Sequence, residues 1–194
     1  MSRAPQKRRL ETRAKLLAVA QEIVSEQGYS GLRVEDVVAR AGVAKGTLFS
    51  HFGDKDGLLA VLIGGEVMGQ LDQIHGLGTP ESIDDLTKRL FVHLDFVAKD
   101  RMIFDILLRY SGATGSETNE VVTETFTRRC DLAKGWISQM QAAGTVRAGL
   151  DPEFLAEGIE AFLAHVLAIS FCMEHELRDP KAALQPFLQA WLSP

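Results

Sequence analysis

Cysteine is scarce in this chain: Cys130 and Cys172 are the only two in 194 residues. Two are too few for a disulfide scaffold and point to a reducing compartment. Metal-ligand spacings are equally thin. Neither E-x-x-H nor H-E-x-x-H occurs, which disfavours a di-iron bundle and a zincin. Asp72-x-x-His75 and Cys172-x-x-His175 are single pairs without a second half. No metal and no cofactor is therefore expected. The longest apolar run, 162–173, is interrupted by His165 and is shorter than a bilayer requires. The opening residues, MSRAPQKRRLETR, hold no apolar stretch of the kind a secretory signal needs. No alternating apolar–polar run is long enough for a sheet, and no repeat or low-complexity tract occurs. These absences leave a soluble, cytoplasmic, helical chain, with 46% hydrophobic residues from which to build a core.

Charge is present but unevenly placed. The formal net charge is −5, yet residues 1–60 carry 10 Lys and Arg against 7 Asp and Glu. The acidic excess lies entirely in the remainder. A step of that kind points to an anionic partner for the N-terminal piece, the plainer alternative being a solvated basic tail.

Nearly every long segment has helical periodicity. Leu16, Leu17, Ala20, Ile23 and Val24 form one stripe, closed by Gly28 at a helix C′ position. Val34, Val37, Val38 and Ala41 form a shorter stripe ended by Gly42, and Leu48 and Phe52 stand four apart in a third. A fourth helix is expected from near Asp54 through Leu58, Leu59, Leu62 and Met68, with a kink or weak point at Gly64-Gly65. Further helices are expected over 83–98, 101–110, 119–143 and 153–176, with Pro152 suited to a first helical turn. The last helix carries Leu184, Phe187, Leu188, Trp191 and Leu192. The expected fold is all-α, with about nine helices.

The second and third stripes, joined by Ala41-Gly42-Val43, have the proportions of a helix-turn-helix. The third helix reads KGTLFSHF. Advancing roughly 100° per residue from Leu48 puts Ala44 and Phe52 on the inner face. Gly46, Thr47, Phe49 and Ser50 then fill the outer arc, with Lys45 and His51 on opposite flanks. That arc offers hydroxyls, an aromatic ring for a thymine methyl and a glycine that lets the backbone approach closely. Lys45, His51 and Lys55 could reach phosphates, and the next helix offers free N–H groups at its start. The alternative is a solvated surface with an incidental glycine. Arg3, Lys7, Arg8, Arg9, Arg13 and Lys15 could form a groove-reaching arm or a solubilising tail.

The stretch "ARAGVAKGTLFSHFGDKDGLLAVL", residues 39–62, with the preceding "LLAVAQEIVSEQGYSGLRVEDVVARAG", resembles the TetR-type transcriptional regulators. The resemblance is dense over about the first sixty residues and rests on helix number and length beyond them. It implies a DNA-binding helix-turn-helix domain over 1–53 and a helical effector-binding and dimerisation domain over 54–194. It also implies DNA contacts at Ala44, Lys45, Gly46, Thr47, Phe49, Ser50, His51 and Lys55. Three positions depart from the family pattern. Ala44 stands where Ser or Thr is frequent, Phe49 replaces a common tyrosine, and Arg33 takes the usual Thr/Ser helix start. Arg33 exchanges an N-cap for a candidate phosphate cation.

The remaining residues supply candidates for an apolar effector pocket: His93, Phe96, Phe104, Leu107, Leu108, Phe126, Cys130, Trp136, Met140 and His165. Many aromatic and Met side chains at helical spacing belong to the core, and only a part of this set is expected to touch a ligand. Broad apolar faces on the last two helices, with Phe162, Val166, Leu184, Phe187, Leu188 and Trp191, predict a four-helix contact with a second copy. The function expected is a ligand-responsive repressor, a homodimer on a palindromic operator in double-stranded DNA, released by a small, largely apolar effector. No membrane partner is expected, and no convergent catalytic group points to an enzyme. A helical enzyme or a protein-interaction module without DNA affinity remain the alternatives. Cys130 and Cys172 are candidates for oxidation sensing, with simple burial as the default.

Overall fold

Asp54, Ser82, Asp100, Asn119 and Asp179 each turn a side-chain oxygen back onto a free backbone N–H, at 2.7–3.1 Å, and start a helix. Glycines end two others: Gly28 and Gly42 take φ of 75° and 64°, a conformation that costs a side chain dearly. A computed structural model describes residues 3–112, 115, 117–172 and 179–194, with side chains from residue 6 onward. Among them run nine helices: α1 (Arg3–Gln27), α2 (Val34–Ala41), α3 (Lys45–Phe52), α4 (Lys55–His75), α5 (Ile83–Ala98), α6 (Arg101–Tyr110), α7 (Glu120–Ala142), α8 (Pro152–Cys172) and α9 (Pro180–Leu192). An isolated bridge between Ser111 and Thr118 is the one β-type pairing among the described residues. The fold is all-α, as periodicity indicates. Residues 173–176, expected to extend the eighth helix, and His175 with them, lie outside the described residues.

Three expectations change. The basic N-terminal run is not a separate arm, because α1 is already helical at Arg3. α4 runs as one unbroken helix through Gly64-Gly65. Gly64 is buried, and a Cβ there would sit 2.8 Å from Val121 Cγ1, so its missing side chain admits α7. Finally, α8, with 21 residues, is long and apolar enough by length and composition to cross a bilayer. It is nonetheless a bundle helix: Leu155, Ile159, Leu163 and Val166 are buried against its neighbours, and Glu153, Glu157 and Glu160 lie along it.

Helices α1, α2 and α3 pack together at one end, around Leu16, Ala20, Val37, Ala41 and Leu48. α4 packs against α1 and α3 and also against α5, α6 and α7, so it belongs to both parts of the molecule. The buried apolar residues form one connected core, which agrees with that shared helix. α8 and α9 pair tightly at a notch. A Cβ at Gly158 would run into the Trp191 indole, whose N–H donates to the Leu155 carbonyl at 3.1 Å.

Candidate nucleic-acid interface and internal pocket

α3 is anchored by Leu48, which is fully buried, while Lys45, Gly46, Phe49 and Ser50 are exposed. Phe49 shows 38% of its surface to solvent. Neither Ala44, at the start of α3, nor Arg33, at the start of α2, caps its helix through a side chain. Their helices begin on free N–H groups, which suit an anion. Gly46 has an ordinary helical φ, and nothing lies within 4 Å of the position a Cβ would take. No intramolecular contact therefore requires glycine there.

The flanking cations are not idle. Lys45 Nζ donates to Glu35 of α2 at 2.7 Å and lies 5.7 Å from the Phe49 ring. A phosphate approaching that flank has to compete with Glu35, whose carboxyl is held below its ordinary range by the lysine hydrogen bond. On the other flank, His51 stands near Arg9 and Arg13 of α1, and the Arg13 guanidinium lies 4.8 Å over the Phe52 ring. Partial burial, followed by those two arginines, pulls the His51 imidazole below its usual value. The start of α1 thus supplies positive charge beside α3 as a fixed helical face. Thr47, His51 and Lys55 are half-buried, and the Ser50 hydroxyl donates back to the Thr47 carbonyl at 2.8 Å.

The second site is a cavity of about 240 Å³ between α5, α6, α7 and α8. His93, Phe104, Leu107, Leu108 and Phe126 line it, five of the residues that the sequence singles out. The other five do not. Phe96 packs edge-on against Tyr29 at 6.0 Å, joining α5 to the end of α1. Cys130 is half-buried, its thiol pushed up chiefly by burial, and Met140 is core. Trp136 lies under the Arg89 guanidinium and borders a separate groove of about 520 Å³ with His75, Thr79 and Gln139. His165 is exposed and meets the Phe187 ring at 5.8 Å. Trp136 and Met140 share the α7 arc of Arg129 but lie about two and three turns farther along the helix, beyond the cavity.

The cavity also has a polar wall that is absent from the sequence-based candidates. Arg129 of α7 is buried and Glu160 of α8 is partly buried, and the guanidinium Nε donates to the carboxylate at 2.7 Å. Arg129 Nη1 donates to His93 Nε2 at 2.7 Å. Opposite charges on apolar faces of neighbouring helices were the available signal: Arg129 follows Phe126 by three residues, and Glu160 lies between Ile159 and Leu163. Burial, then the Arg129 charge, drives the His93 pKa well below its usual value, so the ring stays neutral. Unfolded, it would protonate near about 6.5. The unfolded chain therefore binds the extra proton, and stability falls as pH drops below about 6.5. His93→Phe should flatten the midpoint temperature between about pH 7.5 and 5. An unchanged slope would count against a buried neutral His93.

Both ends of α6 are tied toward α1–α4. Asp100 accepts from the Ser30 hydroxyl at 2.7 Å and from the Ser30 N–H at 3.2 Å. At the other end Arg109 donates to Asp56 at 2.6 Å and to Glu117 at 2.6 Å. The middle of α6, through Phe104, Leu107 and Leu108, is cavity wall.

At the expected dimer face, Leu184 and Leu188 are fully buried within the protomer and Val166 is 3% exposed, because α9 closes on α5 and α8. They are core residues. What remains outside is an aromatic group: Phe162 stacks on Phe187 at 5.1 Å, with Trp191 and the half-exposed Phe154 beside it. No cluster of three or more His, Cys, Asp or Glu with metal-binding geometry occurs among the described residues.

A short outward helix on a three-helix head, joined by one shared helix to a bundle with an internal cavity, is a helix-turn-helix architecture. Residues 16–62 match the family described as bacterial regulatory proteins, tetR family. The HTH-type transcriptional regulator YvdT of Bacillus subtilis is 32% identical over 100 residues. That match spans half of each chain, so the protein covers about half the length of this curated relative. A TetR-family regulator from Pectobacterium atrosepticum superposes with a TM-score of 0.67 at 27% identity, over 98% of this chain and 93% of the other. SmeT of Stenotrophomonas maltophilia, solved in complex with triclosan, shares the fold, with a TM-score of 0.63 at 23% identity over 95% and 92%. Residues 16–62 thus carry the match to the tetR family of bacterial regulatory proteins, and the chain as a whole is similar in fold to a TetR-family regulator.

Proposed function

We propose that this protein is a DNA-binding transcriptional repressor that acts as a homodimer on a palindromic operator and releases it when a small, largely apolar effector enters the α5–α8 cavity. The observation that carries this reading is the outer face of α3, where Gly46 faces open space between Lys45 and Phe49. A helix-destabilising residue with no partner in its own chain is accounted for by a surface that comes close from outside. Gly46, Thr47, Phe49 and Ser50 would face base edges, while Arg33, Lys45, His51, Lys55 and the N–H groups at Ala44 would hold phosphates. A boundary at 53/54 would assign α1–α3 to the head, with α4 as the lever into the bundle.

The chemistry of the cavity constrains the effector. Arg129 is the only cation among the described lining residues, and Glu160 and His93 already engage it. An anionic head would find no free positive partner, so an uncharged, mainly apolar molecule fits better. SmeT, solved with triclosan, lends the reading support by shape alone. Pressure on Phe104, Leu107 and Leu108 would move α6, whose ends pull on Ser30 and Asp56, and so reset the head relative to its twin. Such coupling is typically about 1–3 kcal/mol. The aromatic group of Phe162, Phe187, Trp191 and Phe154 is the face proposed for the second copy.

Fluorescence anisotropy on the DNA upstream of the protein's own gene tests the reading. Binding should weaken steeply with salt and with Lys45→Ala or His51→Ala. Dimers without DNA affinity would point to an interaction module and overturn it. A phosphate at His51 should raise its depressed pKa, so binding takes up a proton. Affinity should then rise as pH falls from about 8 to 6, by at most about tenfold per pH unit, and His51→Gln should remove that slope. Identical slopes in both proteins would remove His51 from the interface.

A further inference from the structure

Three buried side-chain atoms have no hydrogen-bond partner among the described residues: Gln70 Oε1, Arg89 Nε and His93 Nδ1. They come from α4 and α5, yet all three residues line one small cavity, closed by apolar side chains and by Arg129. Its volume is about 10 Å³, the size at which one water molecule fits.

The partners of each residue fix what the orphan atoms can do. A guanidinium can only donate, so the 2.7 Å contact from Arg129 Nη1 makes His93 Nε2 an acceptor. The neutral ring then carries its hydrogen on Nδ1, which is a donor. Arg89 spends its terminal nitrogens on the Gly78 and Thr79 carbonyls and on Asp85, leaving Nε–H as a second donor. Gln70 Nε2 donates to Glu66 at 3.2 Å, which leaves Oε1 as an acceptor. The cavity therefore presents two donors and one acceptor.

We propose that this cavity is a built site for one ordered water molecule, which accepts from His93 Nδ1–H and Arg89 Nε–H and donates to Gln70 Oε1. Other small occupants fail on chemistry. A metal ion or ammonium cannot accept from two N–H groups, a simple anion cannot donate to the carboxamide oxygen, and an apolar group satisfies none of the three. The depressed basicity of His93 agrees with a ring held in one neutral tautomer. The water pins α4 to α5 at His93, a residue shared with the larger cavity. The site does not depend on the effector reading, although it would give that reading a second route from cavity wall to α4.

The test is a high-resolution crystal structure of the free protein, paired with Gln70→Met. Density for one water within hydrogen-bond distance of all three atoms is expected. A dry cavity, or a Gln70 carboxamide turned away from it, overturns the proposal. Gln70→Met keeps the length of the side chain but removes the acceptor. If the water is present, the midpoint temperature should fall by about 2–4 °C, with Glu66→Ala measuring the exposed contact separately. If the cavity is dry, Met relieves an orphan acceptor, and an unchanged or higher midpoint would refute the site.

Discussion

Glu160→Gln should lower the stability of the folded protein by about 3–5 kcal/mol, because it leaves the Arg129 charge buried without its counter-ion. The side chains are 7% and 15% exposed, so little water can take over the solvation of the guanidinium. The remaining contact to a neutral His93 cannot compensate a full charge. For a chain of this length the midpoint temperature should drop by roughly 6–20 °C in a calorimetric scan. The exposed pair of Arg101 and Asp105 on α6 makes the control, since breaking it should cost less than about 1 kcal/mol. A loss at Glu160 no larger than at that control would mean that the pair is solvated and that the cavity wall is not dry. Replacing Arg129 and Glu160 together by Met and Leu should recover much of the loss, because two apolar groups need no partner.

Gly46→Ala should move two measurements in opposite directions. In the free protein an added Cβ meets nothing, and alanine favours a helix interior by about 0.8–1 kcal/mol over glycine. The head should therefore become more stable. On DNA the same methyl group would enter a closely fitted surface, where overpacking costs about 1–3 kcal/mol, or roughly 5- to 150-fold in affinity. Circular dichroism melts and operator titrations on one sample would read both. An alanine variant with unchanged affinity would show that α3 does not lie close in the groove. The contrast separates a binding residue from a folding residue, which loss of affinity alone cannot do.

The helices are plain in the sequence because their apolar spacing and their caps are local properties. Asp54, Asp100 and Asn119 each announce a helix within three residues of themselves. The exposed arc of α3 is legible for the same reason, since one buried Leu48 orients a helix of eight residues. Contacts between distant helices are not legible. Periodicity places Phe96, Met140 and His165 on apolar or half-apolar faces but cannot say which neighbour those faces meet. Gly64 looks like a weak point in sequence, whereas in space it is where Val121 fits, and Gly158 likewise makes room for Trp191. The Arg129–Glu160 pair joins residues 31 apart, and only the packing of α7 on α8 brings it together.

With its indole seated in the notch at Gly158 and bonded to Leu155, Trp191 fixes how far α9 can slide or turn along α8. The aromatic surface around Phe162 and Phe187 is thereby shaped inside a single chain. Two copies would meet as finished pieces, without the slow reordering that accompanies folding on contact. Their association rate should then be governed by orientation and collision.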